Sequence, residues 1–311
     1  MRVGIMIGEG GRRAVGLDEL LADVRRAEAD GFASAWFPQV FGIDAIILAA
    51  LAGRDTARIE LGTAVVPTYT RHPVTMAQQA LSAQAATRGR FALGIGLSHQ
   101  VVIEGMLGLS FARPFTHMKE YLGVLAPLVR QGSVGFQGSE FRVAANVAVA
   151  GAQPCPILLA ALAPKMLGLA GAQADGTITW MTGPATLRAH TVPRLAEAAA
   201  RAGRPAPRVV VGLPIAVVDD VAAARARAAR SFQVYGTLPS YRAMLDREGA
   251  EGPADVALVG PEDRVGEQLE RLTAAGMTDF LAAPFAVGPD APASLERTRA
   301  LLCRIARGAA A

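Results

Sequence analysis

Short runs of β-branched and other apolar residues alternate with longer amphipathic stretches along this chain, and that alternation restricts the fold more than any other feature. The runs fall at 3–7, 33–38, 59–66, 91–95, 157–161, 177–181, 209–217 and 279–283. Most are apolar throughout, as strands covered on both faces are, whereas a strand wetted on one face alternates polar with apolar residues. About eight such β and α pairs predict a (β/α)8 barrel, and the 311 residues fit one such domain spanning 1–311. A doubly wound open sheet is the rival arrangement, but it calls for G-x-G-x-x-G after its first strand. Gly8-Glu9-Gly10-Gly11 stands there instead, glycine-rich in another order.

Helix starts are marked between the runs. Asp18 follows Gly16 and Leu17, Pro73, Pro164 and Pro184 sit at first turns, and Pro261 precedes Glu262 and Asp263. Three insertions break the alternation, at about 98–114, 134–155 and 235–259. The first reads as a loop, the second opens with a small hairpin over 134–143 turning at Gln137-Gly138, and the third holds a short helix in a long connection. Insertions of this length in a barrel shape access to the site, which collects at the C-terminal ends of the strands.

Apolar residues make up 51% of the chain, charged residues 19% and aromatics 5%, so Ala, Leu and Val supply most of the core. No apolar run is long enough to span a bilayer, and the stretch 143–172 is broken by Pro154, Pro156 and Pro164. The N-terminal apolar run is shorter than a signal-peptide core, and Cys155 and Cys303 make neither a disulfide framework nor a metal cluster. A cytoplasmic protein with no membrane segment is expected. The formal charge of +4 and pI near 9.5 come from arginines spread along helices without interleaved aromatics, a pattern that does not predict nucleic-acid binding.

The chain carries no H-E-x-x-H, G-x-S-x-G or Walker motif and no Cys/His set with metal spacing. With His72, His99, His117 and His190 as its four histidines, the demanding chemistry is expected in a bound cofactor. The run Leu61-Gly62-Thr63-Ala64-Val65-Val66-Pro67 is followed by Arg71-His72-Pro73 and Gly89-Arg90-Phe91-Ala92-Leu93-Gly94-Ile95-Gly96. Pro156-Ile157-Leu158-Leu159-Ala160-Ala161 then runs into Pro164, and Ala174-Asp175-Gly176 follows. In this order the motifs resemble the luciferase-like monooxygenase superfamily over nearly the whole chain. Gly183-Pro184 and the stretch 238–244 resemble its actinobacterial branch of oxidoreductases that use coenzyme F420, an 8-hydroxy-5-deazaflavin.

That resemblance implies a luciferase-like TIM barrel with residue-specific roles. A non-proline cis peptide that supports the flavin ring is implied at Ala64-Val65. The phosphate-holding turn falls on Ala161, Leu162, Ala163, Pro164, Lys165 and Met166, although many relatives have two glycines where Leu162 and Ala163 stand. Lys165, one of two lysines in the chain, is either a point charge for the phosphate or a surface residue. Gly94 and Gly96 let a strand end approach the cofactor or pack tightly at a barrel corner. Thr182 is a candidate phosphate ligand, and Trp180 lines the pocket or belongs to the core.

Deazaflavin sugar-phosphate dehydrogenases of the superfamily carry an Asp-His pair after the second strand and a Glu after the fourth. Here Gln39-Val40 and His99 stand in those places. An amide does not exchange a proton near neutral pH, so Gln39 is expected to orient substrate or cofactor, while His99 is the candidate acid or base. His72 is expected to help start the third helix, and His117 and His190 read as helix-surface residues. The resulting expectation is hydride transfer between coenzyme F420 and a small organic substrate. The alternatives are an FMN-dependent monooxygenase using oxygen and a non-catalytic flavin-binding or partner-subunit barrel. A homodimer through barrel helices is implied by the family, whereas Ala- and Leu-rich faces such as 74–86 fit internal packing equally.

Overall fold

A ring of eight parallel strands forms where the apolar runs predict it. The structure, a computed structural model, describes residues 1–8 and 15–308, so Glu9, Gly10 and Gly11 of the N-terminal glycine cluster lie outside the described residues. The strands are β1 (Arg2–Met6), β2 (Ser34–Phe37), β3 (Glu60–Thr63), β4 (Phe91–Gly96), β5 (Ile157–Ala160), β6 (Gly176–Trp180), β7 (Arg208–Val217) and β8 (Asp279–Pro284). They pair in sequence order, β8 pairs β1, and the register runs Arg2 to Asp279, Gly4 to Ser34 and Val210 to Asp279. The third strand is shorter than expected. It stops at Thr63, the Ala64–Val65 peptide is cis, and Val66–Pro67 resumes pairing with Ile95 and Gly96 of β4.

Successive strand residues face opposite sides, and the two sides form separate clusters. Trp36, Ala92, Leu158, Ile178, Val210 and Leu281, from six different strands, pack together inside the ring. Their neighbours Phe37, Leu93, Leu159, Val211 and Phe280 join the larger core beneath the helices. Trp36 is fully buried because two glycines make room for it. A Cβ on Gly62 would lie 2.4 Å from its ring, and one on Gly4 would lie 3.0 Å from its indole nitrogen.

Helices begin where proline and acidic residues predict, at Leu17–Asp30, Pro73–Ala86, Pro164–Gln173, Pro184–Thr186 and Glu262–Ala274. His72 caps the second of these by accepting from the Val74 N–H at 3.3 Å. The hairpin pairs Ser133–Gln137 with Arg142–Asn146, and its loop is longer than a Gln137-Gly138 turn because the Gly138 N–H bonds Phe141 O at 2.8 Å. Helix Gln100–Ile103 forms within the loop after β4. The connection after β7 holds helices Gln233–Thr237, Pro239–Glu248 and Pro253–Val256, more than the single helix expected, since Pro239 and Pro253 each restart one.

Two histidines expected on helix surfaces are buried. His117, on helix Pro114–Gln131, shares the inward stripe of Tyr121, Val124 and Leu128, and its ring stacks on Tyr69 at 4.0 Å. His190 lies in a π-helical turn, Leu187–Thr191, and turns its Nε2 to the carbonyl of Leu162 at 2.7 Å. In both cases helical spacing outweighs polarity, because a partner is available inside. Among the described residues no helix is long and apolar enough to cross a membrane.

Candidate active site

The loops leaving the C-terminal ends of the strands enclose one large cavity of about 2450 Å³. Its wall takes Met6 at the end of β1 and Gly8 beyond it, Gln39 after β2, Ala64 and Val65 after β3, and Gly96 at the end of β4 with His99 beyond it. Ala160 ends β5 and residues 161–166 follow it, Trp180 ends β6, and Phe232, Tyr235 and Tyr241 come from the connection after β7. This is the end at which barrel loops assemble sites.

Of the two glycines in the fourth strand, one reaches the cavity. Gly96 borders it, and a Cβ there would sit 2.8 Å from Val65 Cγ2 and 3.2 Å from the Ala160 Cβ. Gly94 does not reach it. Its position is dictated by packing, because a Cβ would fall 2.0 Å from the backbone oxygen of Thr63, whose hydroxyl donates to Gly94 O at 2.8 Å. Thr182 also departs from expectation. It is fully buried, it bonds back to Trp180 O at 3.3 Å, and it is absent from the cavity wall.

The turn at 161–166 borders the cavity as expected and leads into helix Pro164–Gln173. Its N-cap, Ala163, offers no side-chain cap, and residues 163–165 are exposed, so the first-turn N–H groups of Lys165 and Met166 lack intrahelical partners and meet the positive end of the helix dipole. Lys165 Nζ lies 6.0 Å from the Phe115 ring centre. His190, missed in the sequence, anchors this turn through Leu162. Its position within two turns of the start of a later helical segment gave no signal.

Gln39 and His99 both border the same cavity. Gln39 Oε1 accepts the Ala45 N–H at 2.8 Å, which leaves its amide N–H groups as donors. The helix it touches, Ala45–Asp55, is also capped by Asp44, whose carboxylate accepts from Ile46 and Ile47 at 3.0 Å and pairs with Arg71. Burial pushes the His99 imidazole below its ordinary value, so the neutral ring prevails at pH 7. Its ring centre lies 5.5 Å from that of Tyr241.

Tyr241, Tyr235, Trp180, Phe232 and Phe285 continue from His99 as a connected aromatic wall. The sequence names Trp180 as pocket or core and places the 235–259 insertion at the site, but Phe232, Tyr235, Tyr241 and Phe285 are not singled out there. A signal was present, since two of the four tyrosines of an aromatic-poor chain fall within seven positions. Among the described residues no group of three or more His, Cys, Asp or Glu side chains is placed to hold a metal ion.

Comparison with known proteins gives a consistent picture. A sequence profile of the luciferase-like monooxygenase family matches residues 1–293. The 5,10-methylenetetrahydromethanopterin reductase of Methanolobus tindarius is 29% identical over 236 residues, 75% of this chain and 72% of that protein. The coenzyme F420-dependent tetrahydromethanopterin reductase of Methanopyrus kandleri superposes with a TM-score of 0.78 at 21% identity, covering 96% of this chain and 97% of its own. The oxygenating constituent of 3,6-diketocamphane monooxygenase from Pseudomonas putida, solved with FMN, superposes at 0.77 with 17% identity, covering 98% and 97%.

Proposed function

We propose, for a chain that belongs to the luciferase-like monooxygenase family, that the barrel mouth binds a deazaflavin of the coenzyme F420 type and serves hydride transfer to or from a small organic substrate. The observation that carries this reading is the cavity itself. Its volume of about 2450 Å³ admits a tricyclic ring and a second molecule together, where single-ligand pockets run to roughly 1,000 Å³. The residues present fit such a group. Ala64, Val65 and Gly96 present small or absent side chains to the void, and the Gly96 gap is one a Cβ would close. The uncapped start of helix Pro164–Gln173, with Lys165 beside it, suits a phosphate.

When bound, a deazaflavin supplies two-electron hydride chemistry and reacts poorly with oxygen. The chain's own part is to hold and orient. Ala64 and Val65 floor the ring site, the N–H groups of Lys165 and Met166 hold the phosphate, and Gln39 donates its amide N–H toward ring or substrate. The neutral His99 carries a proton on one ring nitrogen and a lone pair on the other, which equips it to give or take a hydrogen bond at a substrate oxygen. The apolar insertions exclude water. The reading includes a cytoplasmic enzyme, in keeping with free thiols at Cys155 and Cys303, and a homodimer of the kind the family resemblance implies.

The rival on the same fold is an FMN-dependent monooxygenase, favoured by the likeness to the FMN-containing structure. Titration of the purified protein with F420 and with FMN, followed by ring absorbance, separates them. The deazaflavin is expected to bind at least about tenfold, or about 1.4 kcal/mol, more tightly, with no oxygen uptake when the reduced form is supplied. Tighter FMN binding with oxygen consumption overturns the proposal.

A further inference from the structure

The aromatic wall bears on which substrate enters. Trp180 lies 5.7 Å from Tyr235 and 6.1 Å from Phe232, Phe232 lies 5.7 Å from Phe285, and Tyr235 lies 5.2 Å from Tyr241, all with interplanar angles of 73° to 87°. Edge-to-face contacts of this kind lock rings against one another and make a preformed apolar surface. Three elements build it: the end of β6, the connection after β7 and the segment following β8. The mouth continues in the same character. Val40, Val101 and Val234 border the cavity and are each more than half exposed, at 53%, 62% and 57%.

Charge is sparse and mostly committed. Arg71 on the cavity wall is paired with Asp44, and Glu104 accepts from the Gln100 side chain at 2.8 Å and the Phe111 N–H at 3.2 Å. Lys165 belongs to the phosphate turn, and Arg227 is exposed on helix Val221–Ser231. The wall itself offers polarity only through the hydroxyls of Tyr235 and Tyr241 and the adjacent His99 ring, the Trp180 indole N–H being buried. The five wall residues carry no charge to offset the water a phosphate or carboxylate would lose against them, whereas an apolar body gains by leaving water, and the cations that border the same cavity, Lys165 and Arg227, stand on other elements.

We propose that the wall formed by Trp180, Phe232, Tyr235, Tyr241 and Phe285 selects a bulky, uncharged, apolar substrate bearing an oxygen acceptor, with that oxygen toward His99. This assignment rests on the reading of the barrel mouth as a deazaflavin site, with the wall as the substrate's share of the cavity. A neutral His99 is consistent with it, since an imidazole N–H satisfies an uncharged oxygen without a buried cation.

Intrinsic fluorescence tests it. The chain has two tryptophans; Trp36 is sealed inside the ring at 0% exposure, so a ligand in the cavity reports through Trp180. Menthone, an alicyclic ketone, is titrated against glucose 6-phosphate in protein with and without saturating deazaflavin, whose own binding is read separately from its ring fluorescence. Menthone is expected to give saturable quenching and glucose 6-phosphate none at equal concentration. Tyr235→Ala and Phe232→Ala are expected to weaken menthone by about tenfold or more, and the deazaflavin by less than about twofold. Tyr235→Phe keeps the ring and is expected to retain menthone within about threefold, which separates loss of the wall from loss of the fold. Preferential binding of the sugar phosphate, or menthone affinity unchanged in the alanine variants, overturns the proposal. Menthone binding that follows this pattern with no deazaflavin binding sinks the cofactor reading and leaves the wall's selectivity standing; deazaflavin binding without menthone binding overturns the wall assignment.

Discussion

His117 shows how much a single side chain's surroundings decide. Its ring is 7% exposed, stacks on Tyr69 and places Nε2 3.1 Å from the Thr68 hydroxyl. Burial pushes its pKa from the ordinary 6.5 to about 4, with the nearby Glu120 carboxylate opposing. In the folded chain the ring therefore stays neutral while the unfolded chain takes up a proton, and stability rises with pH wherever the unfolded state binds more protons. His117 stabilises fully above pH 6.5, and its contribution falls away between pH 6.5 and about 4. Urea unfolding at a series of pH values is expected to show that decline, and His117→Asn is expected to flatten His117's share of it. Gly94 and Gly96 teach the same lesson two residues apart. A sequence shows that both lack a Cβ, but only the packing around each shows that one spares the Thr63 carbonyl and the other spares the cavity wall.

At the scale of elements, the joints between strands and helices were partly legible. Proline at first turns marked three helix starts, acidic first turns marked two more, and the insertion at 134–143 read correctly as a hairpin, because these signals are local. What holds one element's end against another was not legible. Arg90, just before β4, donates to the carbonyls of Gly53 at 2.9 Å, Thr56 at 2.8 Å and Ile59 at 2.7 Å, closing the C-terminal end of helix Ala45–Asp55 and the lead into β3. No spacing rule links an arginine to carbonyls more than thirty residues earlier. Arg90→Ala is expected to lower stability by about 1–3 kcal/mol, since it leaves part-buried carbonyls without donors, and Arg90→Lys is expected to recover only part, because an ammonium lacks the two-armed fork. Thermal unfolding of the two variants beside the parent measures both effects.

Over the whole molecule, ring closure creates contacts that no local pattern contains. At the N-terminal end of the barrel, Arg208 of β7 bonds Glu60 of β3 at 2.8 Å and Asp279 of β8 at 2.6 Å, and Arg2 of β1 reaches the same two carboxylates at 3.4 Å and 3.1 Å. Four strands are tied at the end opposite the site. Asp279 is 2% exposed and would keep only the half-exposed Arg2 as a cationic partner, so Arg208→Ala is expected to lower stability by about 1–3 kcal/mol. Replacing all three as Arg208→Met, Glu60→Gln and Asp279→Asn is expected to restore much of that loss; urea midpoints for the single and triple variants check it.

The sequence by itself determined the number of strands, their parallel and doubly buried character, and the helix starts, because burial periodicity and proline or capping chemistry act over a few neighbouring residues. It also carried the motif order that places the chain in its family. The tertiary structure alone decided which side chains meet. It set the aromatic wall from three separate connections, turned His117 and His190 inward, left Gly94 and Thr182 off the cavity, and brought Arg208 to Glu60 across 148 residues. Those outcomes depend on the ring closing and on the volume left between packed elements, quantities that belong to no single stretch of chain.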